Sequence, residues 1–284
     1  MEKGQKPRAL VYGVCCTLLF VLAQAATGAL GTVATTISMM WTALRVPGGS
    51  APDPALVLER VLSHGMLFTI LGNGLFLAGA LLVASIRHRP LSLKAPRPGA
   101  GACAAAAAAV ACFSAALNIA LQLLPGLARL AGNAGVVDAA ARSGPWLYLA
   151  LMLLAAPLAE EVAFRGMILP RLRGAFSAPI AMVLDALLFA LCHMGTGGAL
   201  TGLYAFLGGL LFALAYEKTG SLPFSVLLHA LGNLCAFAGL LAAILPQAVL
   251  WGLVLLLLPG AALAAWRLAR CPSGPGAPAG GPVQ

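Results

Sequence analysis

Residues 151–166 read Leu151-Met152-Leu153-Leu154-Ala155-Ala156-Pro157-Leu158-Ala159-Glu160-Glu161-Val162-Ala163-Phe164-Arg165-Gly166. An apolar run meets two adjacent carboxylates and, four residues on, a guanidinium. A soluble amphipathic helix would spread polar residues along one face at every turn. Here charge is absent from Trp146 to Ala159 and then arrives at one point. The rest of the chain has the same character. Its 284 residues are 61% hydrophobic and 9% charged, against about 25% charged in an ordinary soluble domain, and the mean hydropathy is +0.96. A soluble fold of this length must face water with a large polar shell, which this composition does not supply. The solvent implied is lipid. Backbone groups in lipid must be paired within the structure, which leaves helices or closed barrels. The apolar runs are long, rich in Leu and Ala, and do not alternate. They predict an all-α polytopic membrane helix bundle.

A span needs about 20 apolar residues. Eight transmembrane helices are predicted, near 10–33, 64–86, 102–124, 146–165, 178–195, 198–216, 222–243 and 247–266. Gly48 to Pro54 and Arg87 to Ala100 read as polar, proline-bearing loops, and 125–145 as a longer loop with Arg129, Asp138 and Arg142. The chain divides into 1–145 (three helices and their loops), a core at 146–243, a last helix in 244–270, and a Gly- and Pro-rich tail at 271–284 that reads as disordered. Lys3, Lys6 and Arg8 precede an apolar stretch, Ala9 to Val33, too long for a signal peptide and so expected to be a retained span.

The formal net charge is +9, with 17 basic and 8 acidic residues. The basic residues sit between apolar runs, where they act as topology signals, so nucleic-acid binding is not expected. With eight spans and a cytoplasmic N-terminus, the cytoplasmic side receives Lys3, Lys6, Arg8, Arg87, Arg89, Lys94, Arg97, Arg165, Arg171, Arg173, Lys218, Arg267 and Arg270. The other side receives Arg45, Arg60, Arg129 and Arg142, a bias of 13 to 4. Both termini are therefore expected in the cytoplasm of a multi-pass cell-membrane protein. The seven cysteines form no CxxC pair and read as small apolar packing residues.

Ionisable groups within spans cost about 2.5 kcal/mol or more at mid-helix and need a reason. They concentrate in the second half: Glu160, Glu161 and Arg165; Asp185 and His193; Glu217 and Lys218; His229 and Asn233. His64 and His88 read as interfacial, and Asp185 as structural. Residues four apart share a helix face. Glu161 and Arg165 can therefore pair, while Glu160, about 100° round the helix, escapes that pair. Phe189 with His193, and His229 with Asn233, also share faces. If these helices pack together, one carboxylate, two imidazoles and one amide converge. A carboxylate can act as general base on water, an imidazole can orient the water or bind the attacked carbonyl, and an amide N–H can stabilise an oxyanion. The set describes water attack on an amide.

Three motifs in order carry a resemblance. Glu160-Glu161-Val162-Ala163-Phe164-Arg165 fits EExxxR, Phe189-Ala190-Leu191-Cys192-His193 fits FxxxH, and His229-Ala230-Leu231-Gly232-Asn233 fits HxxxN. Tyr216 to Leu222 is similar to the segment before the third motif. The chain from 146 to 243 thereby resembles the CAAX prenyl protease type II and bacteriocin-processing family (CPBP, also ABI). The resemblance implies an intramembrane endopeptidase that cuts a membrane-associated protein or peptide. In it Glu160 activates water, His193 assists, His229 and Asn233 form the oxyanion site, and Glu161 and Arg165 support the architecture. The favoured glutamate mechanism needs no cofactor. The runner-up is zinc on Glu160, His193 and His229, in a sequence that lacks HExxH. The alternative function is a non-enzymatic bacteriocin-immunity or maturation protein of the same family. A proton-coupled transporter is a third reading, disfavoured because no inverted repeat is evident. The Ala-, Gly- and Arg-rich composition points to a high-GC bacterial source, where CAAX substrates are not expected. The spans also pose a problem of depth. Glu160 falls late in 146–165 and His229 early in 222–243, whereas His193 falls deep in its helix.

Overall fold

The computed structural model describes residues 5–47, 50–86, 99–124, 126 and 141–274. Every regular element among them is a helix, and eight helices are long and apolar enough to cross a membrane. They are α1 (Gln5–Leu44), α3 (Gly65–Ile86), α4 (Ala100–Leu123), α5 (Pro145–Arg173), α6 (Ala178–Gly195), α7 (Gly198–Thr219), α8 (Leu222–Ala243) and α9 (Gln247–Arg270). Between α1 and α3 lies the short α2 (Pro54–Ser63). The architecture is an all-α polytopic membrane helix bundle, as the composition requires.

Three expectations about boundaries change. Pro54, read as loop, is the first residue of α2, where its missing N–H costs nothing and Asp53 caps the helix by accepting from Ala55 N at 2.9 Å. The first span runs to Leu44, so that 40 residues at 1.5 Å each make a rod about 60 Å long, twice the hydrocarbon thickness. The fourth span does not stop at Arg165 but continues to Arg173. Arg165 is fully buried in an ion pair and no longer counts as a flanking charge. The loop residues 87–98 and 127–140, and 275–284 of the tail, lie outside the described residues. Cys271 to Gly274 lie against the end of α7, where Lys218 Nζ donates to Cys271 O and Gly274 N donates to Lys218 O.

The extension of α5 removes the depth problem between Glu160 and His193. Glu160 stands 13 residues from Arg173, and His193 stands 15 residues from Ala178. At 1.5 Å per residue these are depths of about 20 and 22 Å from the same side. At the start of α8, Thr219, Ser221 and Leu222 are buried, and Gly274 lies against the Lys218 and Thr219 carbonyls.

Packing follows from small residues and internal hydrogen bonds, since lipid offers no hydrophobic drive between helices. Gly72 lets α1 and α3 touch; a Cβ there would stand 2.7 Å from Gln24 Cα. Beside it Gln24 Nε2 donates to Asn73 Oδ1 at 3.0 Å, and Thr27 Oγ1 to Phe68 O at 2.9 Å. The alanines of α4, including Ala102, Ala106, Ala109 and Ala116, are buried, and this helix packs against α8 and α9. Ser114 Oγ crosses from α4 to the Gly232 carbonyl of α8 at 2.6 Å.

Two further features position the functional core. Between α6 and α7 the chain kinks at Gly198, at φ 75°, which favours glycine. The α5 helix is widened into π-helix at Leu151–Ala155 and at Val162–Ile168, on either side of the turn that bears Glu160 and Glu161. Pro157 explains the first widening. Ala156 N bonds to Leu151 O, five residues back, and the next donor in that pattern, for Met152 O, would be residue 157. Proline has no N–H. A partly buried carbonyl is left over, and it has to find a partner.

Candidate active site

Glu161, Arg165 and Asp185 form a charged knot with no solvent exposure. Arg165 Nη1 donates to Glu161 Oε1 at 3.1 Å and Nη2 donates to the Gly209 carbonyl of α7 at 2.8 Å. Its Nε lies 3.6 Å from Asp185 Oδ2 of α6. Phe189, Phe212 and Phe164 surround the guanidinium, with ring centroids 5.0, 5.4 and 5.9 Å from its carbon, a cation–π setting that suits arginine. One side chain thus ties α5, α6 and α7 together.

Glu161 is saturated as an acceptor. Besides Arg165, it receives Ser225 Oγ on Oε2 at 2.6 Å and His229 Nδ1 on Oε1 at 2.9 Å. A carboxylate ion-paired to a guanidinium accepts only, so His229 donates from Nδ1 and presents Nε2 on its other side. Phe212 stacks on the same imidazole, centroids 4.6 Å apart and planes at 21°. The His229 ring is therefore fixed in plane, with Nδ1 as a donor whether the ring is neutral or doubly protonated.

Glu160 points the other way. Its Oε2 is buried, accepts no hydrogen bond, and lies 3.7 Å from His229 Nε2 and 3.8 Å from His193 Nε2. His193 is oriented by its own helix, where Nδ1 meets the Phe189 carbonyl at 2.9 Å and the Phe189 ring lies 4.5 Å away. Its side chain is 30% exposed, so one edge of the group is left uncovered by the described residues.

The structure brings together Glu160 from α5, His193 from α6 and His229 from α8. The 160/161 division expected from helical phase holds: Glu161 carries the Arg165 pair and Glu160 is outside it. Asn233 stands one turn beyond His229, and its Nδ2 donates to Met152 O at 2.7 Å. That acceptor is the carbonyl orphaned by Pro157. Among the described residues no group of three His, Cys, Asp or Glu side chains has the geometry to hold a metal ion. Reasoning from sequence missed two contributors. Ser225 sits four residues before His229 on one face of α8, a spacing that pointed to it. Phe212 stacks on His229 from α7, and nothing in its local sequence marks it.

The comparisons fall on this segment. Residues 142–235 match the family model for type II CAAX prenyl endopeptidase Rce1-like proteins. The chain carries an Rce1-like segment. It takes in α5, α6, α7 and most of α8, and with them Glu160, Glu161, Arg165, His193, His229 and Asn233. The Rce1-like match agrees with the CPBP resemblance of the three motifs and supports a protease of the CAAX type in general terms. The helices α1, α3, α4 and α9 lie outside it. No curated protein and no solved structure matches the chain.

Proposed function

We propose that this protein is an intramembrane endopeptidase that hydrolyses a peptide bond of a membrane-associated protein or peptide, with Glu160 as its base. One observation carries the reading. Of two adjacent carboxylates, Glu161 is closed by three donors, while Glu160 holds an oxygen without a hydrogen bond between two imidazole nitrogens. A structural carboxylate would be satisfied like Glu161, because leaving a buried acceptor unpaired costs about 1–3 kcal/mol.

In this mechanism a water enters between Glu160 and the imidazoles. Glu160 takes one proton from it as the oxygen attacks the scissile carbonyl carbon. His193 Nε2 orients the water. The oxyanion formed is met by His229 Nε2, which donates when the ring is doubly protonated, and by the Asn233 N–H not spent on Met152. Glu160 then returns the proton to the departing amine nitrogen as the C–N bond breaks. No metal is required. The competing zinc reading uses Glu160, His193 and His229, but those ligands would have to draw within about 2.0–2.2 Å of one point.

The membrane orientation proposed is cytoplasmic at both termini. With Arg165 moved from the flanks to the interior, the basic bias is 12 to 4 rather than 13 to 4. On this topology the site lies within the bilayer and is approached by chains already at the membrane, which sets the substrate class.

The test is a comparison of membrane-peptide proteomes from cells carrying wild type or Glu160→Ala, followed by cleavage of the peptides found with purified protein. Glu160→Ala and His193→Ala should abolish cleavage, whereas dialysis against a chelator should leave the wild-type rate unchanged. Retained cleavage in Glu160→Ala defeats the proposal. Loss of cleavage on chelation, restored by zinc, replaces the glutamate mechanism by the metal one.

A further inference from the structure

A groove of about 460 Å³ lies between the first turns of α1 and the last turn of α5, lined by Pro7, Arg8, Val11, Tyr12, Cys15 and Arg171. It is separate from the site above. Arg171 is 11 residues beyond Glu160 on the same helix, about 16 Å along the axis. Its chemistry is split by depth. At the helix ends it presents two guanidiniums. One of them, Arg171, lies over the Tyr12 ring at 5.3 Å, and Lys6 lies nearby over Phe176 at 5.8 Å. Among the described residues neither Arg8 nor Arg171 has an ion-pair partner. Arg173, two residues on, is already engaged by Glu217 at 2.6 Å. Towards the bilayer centre the groove becomes apolar, and it continues as an exposed stripe of α1 at Val11, Cys15, Leu18 and Leu22. The spacing of four, three and four keeps these residues on one helix face.

We propose that this groove binds an anionic phospholipid, its phosphodiester and negative headgroup between Arg8 and Arg171 and one acyl chain along Val11, Cys15, Leu18 and Leu22. A net-negative lipid fits because two cations from different helices line one groove, and among the described residues no carboxylate pairs with either. A lipid fits better than a soluble anion because the walls beyond the cations are apolar and open sideways. Arginine forms forked hydrogen bonds to phosphate oxygens, and basic pockets between helices on the cytoplasmic side are the usual form of such sites. The bound lipid would fasten the start of α1 to the end of α5 at the end remote from the chemistry.

The experiment uses the full chain in detergent, with phosphatidylglycerol and phosphatidylcholine as probes, and counts retained lipids by native mass spectrometry. Wild type should retain phosphatidylglycerol over phosphatidylcholine. Each of Arg8→Gln and Arg171→Gln should weaken this retention about fivefold, as expected for loss of one interfacial cation. The pair Arg8→Lys with Arg171→Lys should keep most of the preference. Equal retention of the two lipids by wild type, or undiminished phosphatidylglycerol binding in the double Gln variant, overturns the proposal. A photoactivatable phosphatidylglycerol supplies a check on the unaltered protein. Crosslinks should map to residues 7–15 and 165–173, and crosslinks confined to other helices would also overturn it.

Discussion

The most exposed consequence of the structure concerns Asn233, whose amide donates to the carbonyl that Pro157 leaves without a backbone partner. Replacing Asn233 by Ala removes the donor while Met152 O stays in its partly buried position. An unsatisfied buried acceptor costs about 1–3 kcal/mol, whereas interhelical hydrogen bonds measured in a membrane protein average about 0.6 kcal/mol and reach about 1.7. Asn233→Ala should therefore destabilise the fold by about 1–2 kcal/mol. Pro157→Ala supplies the missing N–H. In that background the carbonyl gains a backbone donor, and the same Asn233→Ala change should cost less than about 0.5 kcal/mol by the additivity standard for sites that no longer interact. The assay is a double-mutant cycle of reversible denaturation in mixed micelles, read by tryptophan fluorescence and helical circular dichroism. It requires no substrate. If the costs of the two changes simply add, the link from Pro157 through Met152 to Asn233 is wrong, and Asn233 is held by something other than an orphaned carbonyl.

Two more predictions bear on the architecture. Arg165→Met strands Glu161 and Asp185 in the interior without their common cation and should destabilise the fold by about 3–5 kcal/mol; Arg165→Lys should recover little, because a single ammonium cannot reach Glu161, Asp185 and the Gly209 carbonyl as the guanidinium does. Near-wild-type stability of Arg165→Met in the same denaturation assay would contradict the buried knot. Gly72→Ala places a Cβ 2.7 Å from the Gln24 backbone, so α1 must move away from α3 at a cost of about 1–3 kcal/mol. A cysteine crosslink across α1 and α3 should form more slowly in that variant, and an unchanged rate would mean the helices do not touch there.

Much of this was legible in the sequence because lipid makes polarity informative. In a soluble chain Glu160, His193 and His229 would be three polar residues among dozens. In one that is 9% charged they stand out, and helical phase alone separates Glu160 from the Glu161–Arg165 pair. What was not legible depends on context that periodicity does not carry. The span ending at Arg173 was cut short at Arg165 because a guanidinium looks the same in sequence whether it flanks a bilayer or is enclosed by three phenyl rings. Phe212 reads as ordinary filling until α7 is placed beside His229. Asn233 reads as a spare donor until the π-helical turn of α5 is known to leave a carbonyl for it, and Pro157 gives that away only after the turn's hydrogen bonds are traced.

The height of Glu160 against α7 has a simple origin in register. Arg165 reaches Gly209 and Arg173 reaches Glu217, and both contacts join residues separated by 44. Two bridges of equal offset, eight residues apart, mean that α5 and α7 run parallel and in step over that length. Sliding one past the other by a turn would break both bridges at once, one of them in the lipid-enclosed interior. Glu160 lies one turn and a residue above the first bridge, so its height against α7 is inherited from a register fixed by charge rather than by apolar packing alone. An Ala- and Leu-rich interface tolerates sliding because its contacts are alike at every turn; two arginines with dissimilar acceptors do not. The guanidinium of the EExxxR motif therefore sets the height of the Glu160 turn against α7, and Glu161 holds that guanidinium from its own helix.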